Sequence, residues 1–236
     1  MAQRATKRQV NRLPPEQRIA DIMRSAREVF TEKGYSESLI SDIAERAGVV
    51  EGTIYRFFEN KRDLLQRVAE AWYIEMMEAS EPGFGAVQGE WNRIHYVVYS
   101  HLDAMQRDPG LARLVFHELR PDPHYRSTRL FELNRAYTRR IPEIVREGVA
   151  RGVFRADVSS SLVRDMVYGA IEHRTWAYLR NEGEFDLETT AREITDVVYG
   201  GMLLPRAPAE APRDEILARL DLLTQRVDAV ARQLGS

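Results

Sequence analysis

The stretch that decides the fold is residues 34–65, GYSESLISDIAERAGVVEGTIYRFFENKRDLL. It reads as two short helices joined by a turn at Gly48. The first, over about 40–47, sets Ile40, Ile43, Ala44 and Ala47 along one side, which is the spacing of a buried helical face. The second, over about 52–58, has Ile54, Phe57 and Phe58 to anchor it. That leaves Glu51, Gly52, Thr53, Tyr55 and Arg56 facing outward. Small and polar residues at the start of a short helix can come close to a DNA groove, with N–H groups and hydroxyls turned to phosphate oxygens. Lys61 opens the next helix, where a cation opposes the helix dipole. A phosphate partner would resolve that conflict.

Working outward, the helical period continues on both sides. Ile19, Ile22, Met23, Ala26, Val29 and Phe30 form one face of a preceding helix, with Pro14 and Pro15 in its first turn and Gly34 at its end. After Lys61 come Leu64, Leu65, Val68, Trp72, Tyr73 and Met76, until EPGFGAVQGE (81–90) breaks the pattern. A helix from Trp91 ends at Asp108-Pro109-Gly110, and an apolar segment runs on to Leu119. Loop 120–127 precedes a helix kinked at Pro142. Ser160 or Ser161 is expected to cap a helix reaching about Arg180, and a last one holds Leu187, Ala191, Ile194, Val197 and Val198. No run alternates with period two, so the expected fold class is all-α. Residues 205–212, PRAPAEAP, read as a stiff linker. Ile216, Leu220, Leu223, Val227, Val230 and Leu234 beyond it form a heptad seam within an amphipathic helix spanning 213–236. That helix either pairs between subunits or packs back on its own.

Composition narrows the function classes. Of 236 residues, 44% are apolar and the formal charge is -2, which excludes a disordered chain. The absence of cysteine removes disulfides, thiolate nucleophiles and Cys-based zinc sites. No apolar run reaches the ~20 residues of a membrane span. MAQRATKRQVNRLPPEQR has no apolar core of a secretory signal, so a cytoplasmic location is expected, with no membrane partner. Charge is uneven: residues 1–67 hold 13 basic and 10 acidic side chains, so a net-acidic body follows a basic end. Arg4, Lys7, Arg8 and Arg12 make residues 1–13 a basic arm, either a groove-reaching element or a solvated tail.

The 34–65 stretch resembles the DNA-binding domain of TetR-family (tetracycline-repressor-like) transcriptional regulators. The resemblance is carried by Phe30, Gly34-Tyr35, Asp42-Ile43-Ala44, Ala47-Gly48-Val49, Gly52-Thr53-Ile54-Tyr55, Phe58, Asn60-Lys61 and Leu64-Leu65. It implies a homodimer binding a double-stranded operator. Each subunit would have a three-helix helix-turn-helix head at 14–62 and a larger effector-binding and dimerisation body at 63–204, whose last two helices pair across the dimer. By position it implies that Gly52 and Thr53 begin the recognition helix, with Thr53, Tyr55 and Lys61 on phosphates. Glu51 and Arg56 would sit at the groove, Arg56 reaching either a guanine edge or a phosphate. Ser38 and Ser41 would touch the backbone or cap the second helix. Leu39 departs from the family, which usually has Ser or Thr there, so Ser38 would take over the cap or a phosphate contact would be missing.

The body carries no catalytic pattern. His95, His101, His117, His124 and His173 show no metal-ligand spacing, so neither metal nor cofactor is expected. Its chemistry is that of a small-molecule effector. His95, Tyr99, Phe116, Tyr137, Met166, Tyr168 and Trp176 are candidate pocket walls or ordinary core, and Arg120 belongs to an arginine cluster near the 120–127 loop that would meet an anionic group or solvent. The stretch 166–172 with Trp176 and 185–187 resembles the family's fatty-acid-metabolism regulators, which implies an amphipathic acyl-CoA-like ligand. The alternative is a helical oligomeric interaction module, or an enzyme without a recognisable catalytic motif.

Overall fold

A computed structural model describes residues 14–204 and 217–226. Among them there is no strand, and residues up to 202 form one compact unit. Helix α1 (Pro15–Glu37) starts with a proline in its first turn and buries Ile22, Ala26, Val29 and Phe30. Gly34, at φ 78° and ψ 170°, bends it where any side chain would be strained. α2 (Ile40–Arg46) and α3 (Glu51–Ile54) flank the turn at Gly48, whose φ is 65°. The expected apolar spacing is realised: Ile43, Ala44, Ile54 and Phe58 are all buried. α3 is shorter than the expected 52–58, and continues as turns with Phe58 N–H donating to the Ile54 carbonyl at 3.0 Å.

α4 (Lys61–Phe84) runs unbroken across the expected boundary at 62/63. Asn60 caps it, its side-chain oxygen accepting from Arg62 N and Asp63 N, both at 2.9 Å. The break expected at 81–90 arrives only at Gly85, after Pro82. Phe84 holds the last turn in place, its ring lying under the Arg140 and Arg93 guanidinium groups at 4.8 and 5.2 Å.

The rest of the body is α5 (Glu90–Arg107), α6 (Pro109–Leu114), α7 (Arg129–Thr138), α8 (Arg140–Ala150), α9 (Ser160–Leu179) and α10 (Leu187–Met202). α6 continues as a π-wound turn over Val115–Leu119. The kink expected at Pro142 appears as an interruption at Arg139, whose φ -68° and ψ -21° stay helical, between α7 and α8. Pro142 cannot donate to the carbonyl of Thr138, and its ring crowds that carbonyl, so the helical hydrogen bonding is interrupted there. Ser159 caps α9, accepting from Leu162 N at 3.3 Å, in place of the expected Ser160 or Ser161.

Two ties join head to body. Arg27 of α1 bonds Asp108 at the α5–α6 joint and Glu75 of α4 at 2.8 Å. Beside it, a methyl built on Gly110 of α6 would lie 2.8 Å from Thr31 Cβ of α1. Arg62, at the start of α4, donates to the Glu118 carbonyl at 3.1 Å and to Asp122.

Residues 217–226 are helical, and Leu217, Leu220, Leu222 and Leu223 on them are exposed. The other seam positions, the linker 205–212 and the basic arm lie outside the described residues.

Candidate DNA-reading surface and effector site

The head separates its inward and outward residues cleanly. Ile54 and Phe58 pin α3 to the core, and Glu51, Gly52, Tyr55 and Arg56 face solvent, with Thr53 half-buried. Tyr55 is 52% exposed. Arg56 has no carboxylate partner among the described residues and lies 6.0 Å from the Phe57 ring centroid, so its charge is free for a polyanion. By contrast Arg46 is taken up by both carboxylate oxygens of Glu32 at 2.7 Å. Ser41, in the first turn of α2, is exposed.

Two residues expected at the DNA are engaged inside the chain. Ser38 is fully buried, its hydroxyl donating to the Gly34 carbonyl, so it neither caps α2 nor reaches DNA. The cap comes from Asp42, whose carboxylate accepts from Leu39 N at 3.1 Å, while Lys33 lies 2.8 Å away. The hydrogen bonds from Lys33 and Leu39 hold the Asp42 carboxyl below its usual pKa. A serine hydroxyl at 38 is not needed there.

Lys61 is the second. Its ammonium donates to the carbonyls of Tyr35 and Ser38 at 2.8 and 2.9 Å, with Ser36 at 3.5 Å, and sits 4.4 Å from the Tyr35 ring centroid. The clash with the α4 dipole is resolved inside the chain, by carbonyls between the Gly34 bend and α2. No phosphate is required.

Sequence reasoning overlooked Val50 as a surface element. It is 73% exposed before α3, as Leu39 is 59% exposed before α2. Both present apolar surface suited to a thymine methyl group. The signal was available: neither fits the apolar period of its helix.

The body interior gathers a polar aromatic cluster. His101 of α5 and Tyr137 of α7 share a hydrogen bond at 3.0 Å. Tyr168 of α9 meets the His101 ring edge-on at 5.2 Å, and Tyr73 of α4 meets Tyr137 at 5.9 Å. Tyr73 donates to Asn134 at 3.2 Å. Burial, with nearby Arg120, lowers the His101 pKa to about 3, so the ring is neutral. Burial also raises the Tyr73, Tyr137 and Tyr168 phenols. The hydroxyl of Tyr168 is enclosed, with no hydrogen-bond partner among the described residues.

Of the candidate pocket walls, Tyr137 and Tyr168 belong to this cluster. Arg120 lies at its edge, paired with Glu172 at 3.0 Å and stacked 5.0 Å from Phe116. His95 stands elsewhere, stacked on Trp91 at 4.9 Å and facing Glu188 of α10 at 3.7 Å, beyond hydrogen-bond reach. Tyr99 lines a separate surface groove of about 400 Å³ among α1, α4 and α5, with Arg27, Trp72, Met76 and Asp103. Met166 and Trp176 are 48% and 41% exposed on the outer side of α9, so they wall no interior. Leu162 on α9 and Val197 on α10 are exposed as well. Among the described residues no group of three His, Asp or Glu side chains is placed to hold a metal ion, and no helix is long and apolar enough to cross a membrane.

Comparison with known proteins follows the same division. Residues 22–68 match the bacterial regulatory proteins of the tetR family, and residues 73–201, over half the chain, match the YsiA-like protein C-terminal region. The fatty acid metabolism regulator protein of Bacillus subtilis is 26% identical over 181 residues, 77% of this chain and 93% of that protein. The transcriptional repressor KstR2 of Mycolicibacterium smegmatis is 24% identical, over 80% of this chain and 92% of that one. The crystal structure of FadR from B. subtilis with stearoyl-CoA superposes with a TM-score of 0.70 at 27% identity, covering 78% of this chain and 98% of that chain. A head that exposes the start of α3, a body of packed helices and these matches agree: the chain belongs to the tetR family of bacterial regulatory proteins and is a DNA-binding transcriptional regulator.

Proposed function

We propose that the chain is a cytoplasmic repressor that binds a palindromic operator as a homodimer and leaves it when an amphipathic, acyl-CoA-like effector enters the body. The observation that carries the DNA half is the exposed rim of Glu51, Gly52, Tyr55 and Arg56 on a segment pinned by buried Ile54 and Phe58. Ser41 and Thr53 complete the contact set, and Leu39 and Val50 add apolar contacts. In a symmetric dimer two such rims enter successive major grooves about 34–36 Å apart. The exposed Leu162, Met166, Trp176 and Val197 on α9 and α10 support pairing through those helices. The exposed Leu217, Leu220, Leu222 and Leu223 support a second assembly contact through the C-terminal helix.

The effector half rests on similarity to the fatty acid regulator and to FadR solved with stearoyl-CoA. A ligand releases DNA only by binding one head spacing better than the other. The regulator catalyses no reaction in this reading. Selection of bound duplexes from a random pool tests the first half: an inverted repeat is expected, and indifference to duplex sequence refutes it. Release of the selected duplex by long-chain acyl-CoA, and not by free coenzyme A, tests the second. Sizing of a chain truncated at residue 204 tests the added contact.

A further inference from the structure

The buried aromatic cluster holds more polar capacity than it uses. The Tyr168 ring is partly exposed, but its hydroxyl is enclosed and meets no acceptor or donor among the described residues. Its neighbours are committed elsewhere: Tyr137 to His101 and Tyr73 to Asn134, with Arg120 beyond them paired to Glu172. The cluster is also electrically neutral, with an arginine matched to a glutamate and an uncharged imidazole. An enclosed hydroxyl without a protein partner forfeits its hydration, so a ligand oxygen that completes it is favoured there. A neutral cluster rejects a carboxylate or a phosphate, because burying an uncompensated charge is far more costly. Its one unfilled hydroxyl suits an acceptor oxygen with no charge.

We propose that Tyr168 hydrogen-bonds an uncharged carbonyl or hydroxyl oxygen carried on the apolar part of the effector. This deepens the effector reading above and rests on it. The oxygen has two sources, the thioester carbonyl itself or an oxo group on the chain or ring. Sites built to hydrogen-bond a ligand oxygen discriminate strongly against analogues that lack it.

The test is isothermal titration of the full chain and of Tyr168→Phe. The ligands are palmitoyl-CoA, its S-hexadecyl thioether lacking the carbonyl, 3-oxopalmitoyl-CoA and a steroid diketone. The wild type is expected to favour an oxygen-bearing ligand over the thioether by about tenfold, roughly one hydrogen bond. Tyr168→Phe is expected to erase that preference while binding the thioether unchanged. Preference already present for palmitoyl-CoA identifies the thioester carbonyl; preference only for the 3-oxo compound identifies a chain oxygen. Equal ratios in the two proteins overturn the proposal while leaving acyl thioesters as effectors. Binding of the diketone alone, sensitive to Tyr168→Phe, upholds it and removes acyl thioesters. If no oxygen-bearing ligand binds the wild type, the proposal fails. Tyr168→Phe should melt no lower than wild type without ligand, since its hydroxyl is unpaired, whereas Tyr137→Phe, which loses the bond to His101, should melt lower.

Discussion

Lys61→Met keeps the length of the side chain and removes its charge. Two charge-assisted hydrogen bonds disappear, to the Tyr35 and Ser38 carbonyls at 2.8 and 2.9 Å, along with the contact to the Tyr35 ring. Such bonds contribute ~1.5–3 kcal/mol each and an exposed cation–π contact ~0.5–1. Lys61 is only half-buried, so water replaces part of what is lost. The expected loss of stability is about 2 kcal/mol, read as a lower urea midpoint with an unchanged m-value. Operator affinity falls because the Ser38 backbone, which leads into α2, loses its tether. The salt dependence is the decisive measurement. Each phosphate contact contributes a slope of about 0.9 in log affinity against log salt. The ammonium donors are already directed at carbonyls, so the slope for Lys61→Met should equal wild type. A slope reduced by about 0.9, with stability unaltered, would refute the internal clamp and return Lys61 to the DNA contacts.

Arg56→Ala should behave in the opposite way. A reduction of slope near 0.9 marks a phosphate contact, and an unchanged slope with relaxed preference at one base pair marks a guanine edge. Gly34→Ala should destabilise the head by ~1–3 kcal/mol, because φ 78° with ψ 170° is a region open essentially to glycine; thermal melting measures it. His101 protonates near pH 3 in the fold, against about 6.5 unfolded. Its stabilising contribution is therefore complete above about pH 6.5 and is lost as pH falls toward 3, with a slope up to ~1.4 kcal/mol per unit. His101→Phe should flatten a urea stability profile taken between pH 4.5 and 7. Met166→Asp places a charge on the outer side of α9; sedimentation should show monomers with weak operator binding, and an intact dimer would remove that face from the interface.

The helices were legible because their apolar residues recur every three or four positions and because Gly34 and Gly48 announce left-handed bends. The surface rim was legible for the same reason: Glu51, Gly52, Tyr55 and Arg56 fall off the apolar stripe. Lys61 was not, because its partners are main-chain carbonyls 23 to 26 positions away, and carbonyls have no sequence signature. Met166 and Trp176 were misplaced for another reason. α9 carries apolar residues on its inner side, Val163, Val167 and Ile171, and on its outer side too. Periodicity cannot separate an interior wall from a face awaiting a second subunit. The histidine–tyrosine pair of His101 and Tyr137 joins residues 36 apart, so only the folded arrangement reveals it.

The contact of Gly110 with Thr31 has mechanical meaning. With a methyl's width missing between α6 and α1, the two helices mesh like gear teeth, and sliding is blocked by hard-core repulsion. Arg27 pins the same junction with charge. A side chain at position 110 would therefore force α6 and α1 apart at the junction of body and head.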